Sequence, residues 1–91
     1  MHVIRVGKYD VDLDEVYRRM YAEARTSADG RLIHDSGLKY LLGDMLGLPA
    51  DERIPDEPLF SLRIKTASAL RDLGWITWRG KNNGRYQLLR S

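Results

Sequence analysis

The sequence predicts an α+β domain in which three helices precede a carboxy-terminal β-hairpin, with a short strand or hairpin in front of them. Three observations predict it. Apolar residues recur at helical spacing in three separate stretches; Asn83-Gly84 punctuates two β-rich runs; and His2 to Asp12 carries Val3, Ile4, Val6 and Val11 around a Gly7-Lys8 break. The 91 residues, 43% of them hydrophobic, suit one domain spanning residues 1–91 with one modest core. Cysteine is absent, so neither disulfides nor thiolate metal sites are expected to support that core.

The first helix has the clearest start. Asp12 is placed to cap the first amides and Glu15 to reach back in a capping box, after which Leu13, Val16, Tyr17, Met20 and Ala24 form an apolar stripe running to about Arg25. Asp29-Gly30 is the expected stop. A second helix, capped by Asp35 or Ser36, buries Leu38, Leu41, Leu42 and Met45 and ends at Gly47 and Pro49. The stretch from Gly47 to Pro58 holds Pro49, Pro55 and Pro58 and the acidic Asp51, Glu52, Asp56 and Glu57, and it reads as the linker to a third helix.

Pro58 suits the first turn of that helix and Gly74 its end. Leu59, Leu62, Thr66, Ala69, Leu70 and Leu73 fall on one side, and Ser61, Ile64, Lys65, Ser68, Arg71 and Asp72 on the other. Trp75 to Arg79 and Arg85 to Leu89 then form the two arms of the final hairpin around Gly80-Lys81-Asn82-Asn83-Gly84, because Asn83 and Gly84 both tolerate positive φ. Trp75, directly after Gly74, is expected in the core. Trp78 and Tyr86 either pair across the strands beneath the hairpin or lie exposed, where they would stack on unpaired bases.

Charge is distributed unevenly. Residues 1–60 hold eight Lys or Arg against twelve Asp or Glu, whereas residues 61–91 hold seven, namely Arg63, Lys65, Arg71, Arg79, Lys81, Arg85 and Arg90, against Asp72 alone. One basic end on an otherwise acidic chain suits a surface that meets a polyanion. Asp72 either repels phosphate or pairs with a neighbouring base.

Three helices, a hairpin and a basic end follow the winged helix-turn-helix plan, with the third helix in the major groove and the hairpin along the backbone or in the minor groove. Short polar side chains permit close approach while Arg and Lys reach bases or phosphates. Ser61, Lys65, Ser68 and Arg71 are therefore the expected groove-reading residues. Arg79, Lys81, Asn82, Asn83 and Arg85 are the expected contacts of the wing, of which Lys65, Arg79, Lys81 and Arg85 meet phosphate.

The run Ala69-Leu70-Arg71-Asp72-Leu73-Gly74-Trp75, followed by a basic hairpin with Asn83-Gly84-Arg85-Tyr86, resembles the carboxy-terminal segment of phage and plasmid primase-helicases of the virulence-associated E family. The resemblance covers residues 59–90 and implies a winged-helix appendage of mobile-element replication proteins. The G-x-x-x-x-G-K-[ST] phosphate loop of that family's catalytic part is absent here, so its ATPase activity does not carry over.

Other chemistry finds little support. His2 and His34 stand in no metal-ligand spacing, and His34-Asp35 reads as a polar loop before a helix cap, since sequence neighbours seldom face each other. Asp10, Asp12, Asp14 and Glu15 are explained by capping and by the helix dipole better than by a cation. No enzymatic activity, metal or cofactor is expected.

The expectation is a non-catalytic DNA-binding protein in replication or transcription control of a phage or other mobile element. Duplex DNA is the expected partner, and a homodimer is compatible with the strand edge at residues 2–6. The competing expectation is a docking module, such as a phage protein that blocks a host complex, working through the acidic part and the helix carrying Tyr17 and Tyr21. No apolar run reaches the roughly 20 residues of a membrane span, and Arg5, Lys8 and Asp10 stand where a signal peptide is apolar, so a cytoplasmic protein is expected.

Overall fold

The computed structural model describes residues 2–28, 30–49, 58–78, 80 and 83–90. Strands β1 (Val3–Val6) and β2 (Tyr9–Asp12) pair antiparallel, with Val3 opposite Asp12 and Val6 opposite Tyr9. Gly7 supplies the positive φ of +60° that this turn requires. Val6 and Val11 point inward, so the expected β-branched start is a hairpin.

Helix α1 (Leu13–Glu23) starts on the expected cap, Asp12 Oδ1 accepting from the amides of Asp14 at 3.0 Å and Glu15 at 3.3 Å. Glu15 does not turn back as a capping box. Its carboxylate accepts from Arg18 at 2.6 and 2.9 Å and from Arg19 at 3.0 Å, charge-assisted bonds that outcompete a neutral amide. Hydrogen bonds from Arg18, then Arg19, hold the Glu15 carboxyl down from 4.5 to about 2. A depressed folded-state pKa gives a contribution that is complete above the ordinary value and is lost as pH falls through the folded one. Stability is therefore expected to fall between about pH 4.5 and about pH 2, and Glu15→Gln should flatten that limb in melting temperatures recorded against pH. An equally steep limb in the variant would refute the assignment.

The chain between α1 and the second helix departs from expectation. Helix α1 stops at Glu23, short of Arg25, and the segment expected to close it forms strands β3 (Arg25–Ser27) and β4 (Gly30–His34). Gly30, at φ +106°, opens β4 and does not end a helix. The stop is made by tertiary structure: Arg31 on β4 donates to the carbonyls of Tyr21 at 3.1 Å and Ala24 at 3.3 Å while its guanidinium lies 4.1 Å from the Tyr21 ring. A cation thus meets the negative end of a helix whose last turn has no basic residue.

Strand β4 pairs with β5 (Arg85–Leu88), giving an antiparallel sheet of order β3-β4-β5. The expected two-armed final hairpin is correspondingly reduced. In its first arm only Ile76 bridges Leu88, supported by Thr77 N–H donating to Gln87 O at 3.0 Å and Leu89 N–H donating to Trp75 O at 2.8 Å. The arm leaves the ladder at both ends, because Trp75 packs against α1 and Trp78 swings out of the pleat, and Arg79 lies outside the described residues.

Helix α2 (Asp35–Leu46) is capped one residue earlier than expected, by His34, whose Nδ1 accepts from Ser36 N–H at 3.2 Å. His34 Nδ1 also lies 3.0 Å from Asp35 Oδ1, so these neighbours do face each other, at a helix start. Gly47 ends α2 in the left-handed conformation as expected, and most of the proline-rich linker lies outside the described residues.

Helix α3 (Leu59–Asp72) packs on α2, and its Leu59, Leu62, Thr66 and Leu70 join Val16, Met20, Leu38 and Leu42 in one core. Leu73, expected there, is 39% exposed. The chain turns away at Gly74 (φ +77°) and Trp75 N–H returns to Leu70 O at 3.0 Å, which makes Leu70 the last inward residue. Trp75 lies partly buried as an extension of the core, 5.6 Å from Tyr17 and 4.9 Å from His2 ring to ring, beneath the Arg90 guanidinium at 4.1 Å. The Tyr17 hydroxyl accepts from Arg90 N–H at 2.8 Å and donates to Arg90 O, tying residues 89–90 to α1.

Thr66 is fully buried and its hydroxyl has no hydrogen-bond partner among the described residues. An unsatisfied buried hydroxyl costs about 1–3 kcal/mol, and Val has nearly the same shape and helix propensity. Thr66→Val should therefore raise the melting temperature by roughly 4–8 °C per kcal/mol recovered. A lower melting temperature would mean that the hydroxyl has a partner. Among the described residues no helix is long and apolar enough to cross a membrane.

Candidate nucleic-acid interface

Helix α3 turns two different strips outward. At about 100° per residue, Ser61 and Lys65 share one strip while Phe60, Ile64, Ala67 and Arg71 share another, with Ser68 between them. Ser61 and Lys65 border a depression of 520 Å³ shared with Lys8 and Tyr9 of the first hairpin. Ser68 and Arg71 line a separate groove of 350 Å³, walled on the far side by Thr77, Trp78 and Tyr86. The four groove-reading candidates thus lie within one outward arc of about 120° but border two different concavities. Ile64 lies between Arg71 and the Ser61–Lys65 strip with Phe60 to one side of it, and the two are 46% and 50% exposed.

The cations differ in what they touch. Arg63 lies inside the buried arc, where Nη1 donates to the Tyr86 hydroxyl at 3.2 Å, lies 3.9 Å from Asp35 Oδ2, and the guanidinium approaches the Phe60 ring at 5.6 Å. It cross-links α3, β5 and the start of α2. Lys65, Arg71 and Arg85 are exposed and, among the described residues, none of them forms an ion pair. Asp72 is exposed as well and likewise pairs with no base there, so it opposes the cations without neutralising one.

The turn before β5 follows the sequence signal. Asn83 and Gly84 adopt φ of +55° and +82°, and Gly84 O accepts from Asp35 N–H at 3.0 Å, satisfying one of the orphan donors at the start of α2. A Cβ at Gly84 would meet only His34 Nε2 at 3.6 Å, so space permits a side chain and backbone conformation forbids it. Gly84→Val is expected to cost about 1–3 kcal/mol, read as a lower melting temperature. An unchanged one would show that the turn relaxes. Asn83 and Arg85 are exposed here, whereas Arg79, Lys81 and Asn82 lie outside the described residues.

Comparison of the chain with protein-family profiles, with curated protein sequences and with solved structures returned no match. Its function must be read from its own surface. Trp78 and Tyr86, left open as a cross-strand pair, separate: Tyr86 is buried opposite Ile33, whereas Trp78 is 61% exposed. Phe60, Ile64, Thr77 and Arg63 were not among the expected site residues. For Phe60 and Ile64 the signal was present, as bulky apolar residues outside a stripe already filled by Leu59, Leu62, Thr66 and Leu70. Arg63, one turn after Leu59 and one before Thr66, was marked only by that inward position. Among the described residues no group of His, Asp or Glu is placed to hold a metal ion.

Proposed function

We propose that this chain is a non-catalytic winged-helix module that binds duplex DNA. The observation that carries the reading is the set of exposed cations Lys65, Arg71 and Arg85 on α3 and the first residue of β5, none of which forms an ion pair among the described residues. Topology supports it. The strand before the second helix pairs with β5, which in turn bridges residue 76, so the sheet buttresses the two last helices as a wing does in that architecture. Phosphate contacts from the cations supply affinity, and Ser68, Arg71, Ser61 and Lys65 supply whatever base preference there is. Action in replication or transcription control of a phage or other mobile element rests on the resemblance of residues 59–90 alone.

A docking role is the second reading, and the exposure of Phe60, Ile64 and Trp78 favours it. Its surface would be α3, not α1, since Tyr17 is only 5% exposed and is held by Arg90. The deciding experiment is an anisotropy titration with labelled duplex, single strand and RNA at two salt concentrations. Binding to duplex that weakens steeply with salt is expected. No salt-dependent binding to any nucleic acid at low ionic strength overturns the reading in favour of docking.

A further inference from the structure

The groove beside α3 has a chemistry that contact with a continuous duplex does not use. Its outer wall is Trp78, a large aromatic that would ordinarily be buried. The ring lies across Gly80: a Cβ there would stand 2.6 to 2.9 Å from three carbons of the indole, closer than atoms can approach, so only glycine leaves the ring in place. The preceding residue is fixed, because Thr77 N–H donates to Gln87 O and Thr77 Oγ1 accepts from Gln87 N–H, each at 3.0 Å. The indole therefore lies as an exposed platform over Gly80, next to a backbone anchored on β5. Facing it are Phe60, Ile64 and Ala67, and Arg71 stands at the rim as a cation with no ion pair among the described residues, while Arg63 is already engaged by Tyr86 and Asp35.

We propose that this groove takes one unpaired nucleobase, stacked on Trp78 with its phosphate at Arg71, so that the preferred ligand is a duplex that continues into an unpaired strand. The inference rests on the nucleic-acid reading and deepens it. A slot with Trp78 and Phe60 on its walls, polar groups of Ser68 and Thr77 among its lining and a cation at its edge matches a flat, hydrogen-bonding uncharged ring joined to an anion, and its 350 Å³ falls at the lower end of the range for small-ligand sites. Within a continuous duplex the base faces are stacked away and only their edges line the grooves. An exposed indole gains nothing there, but it stacks on any unpaired base regardless of sequence.

The test uses the full chain and three labelled DNAs: a blunt duplex, the same duplex with a short single-stranded overhang, and the overhang strand alone. The overhang duplex is expected to bind roughly 5- to 150-fold more tightly than the blunt one, the range that one base stacked on an aromatic gives. Intrinsic fluorescence should be quenched on binding, and this quench should disappear in Trp78→Phe. Trp78→Ala should bring the ratio of the two dissociation constants to near one, with its melting temperature recorded to show that it folds. Equal binding of blunt and overhang duplexes by the parent overturns the groove assignment while leaving the duplex reading intact. Absence of binding to all three DNAs overturns both.

Discussion

Leu70→Ala is expected to destabilise the domain by about 2–5 kcal/mol, the range for removing a large aliphatic side chain from a packed interior. Leu70 has no exposed surface and is the last inward residue of α3, with its carbonyl accepting from Trp75 N–H at 3.0 Å. A cavity there loosens both the helix end and the turn that leads into the sheet. Domains of this size have only about 5–10 kcal/mol in total, so a sizeable unfolded population is expected near body temperature. Leu73→Ala is the matched comparison, since that residue is 39% exposed and should cost less than about 1 kcal/mol. Denaturant unfolding separates the two, and equal losses would mean that the phase of α3 is wrong.

This pair also marks where sequence reasoning reached and where it stopped. Periodicity placed all three helices, and Asp12, Gly47 and Asn83-Gly84 marked a cap, a stop and a turn because each acts through its own backbone conformation or its nearest neighbours. Strands β3 and β4 were missed because Arg31, Leu32 and Ile33 do not alternate, and because the helix before them is stopped by Arg31 reaching back from β4, a contact invisible to local rules. Leu73 was misplaced by extending the apolar stripe one turn too far. The site was half legible: charge composition singled out Lys65, Arg71 and Arg85, but the groove that Ser68 and Arg71 border is completed by Phe60, Ile64 and the exposed Trp78, whose placement no local pattern reports. The position of the Trp78 ring requires the missing Cβ of Gly80, two residues away, and no periodicity reports that.

Replacing Lys65, Arg71 and Arg85 together by Ala is expected to have the largest effect on binding. Each cation that neutralises a phosphate contributes about 0.9 to the slope of log K against log salt, so losing three should flatten the slope by roughly 2.7. At about 0.1 M salt that corresponds to a loss of roughly two to three orders of magnitude in affinity for every duplex, whatever its sequence. The loss must be electrostatic and not a folding defect, because all three side chains are exposed and unpaired among the described residues, where substitutions usually change stability by less than about 0.5 kcal/mol. Arg25→Ala, on β3 at the far edge of the sheet from Ile76, controls for net charge alone and should leave the slope nearly as it was. Ser68→Ala behaves differently if the hydroxyl reads a base edge: it should lower affinity by about 1–3 kcal/mol at a preferred site only, without changing the slope. Should the triple variant keep the parent's salt slope, the phosphate contacts lie elsewhere on the basic end, and the surface formed by α3 and β5 is not the one that meets DNA.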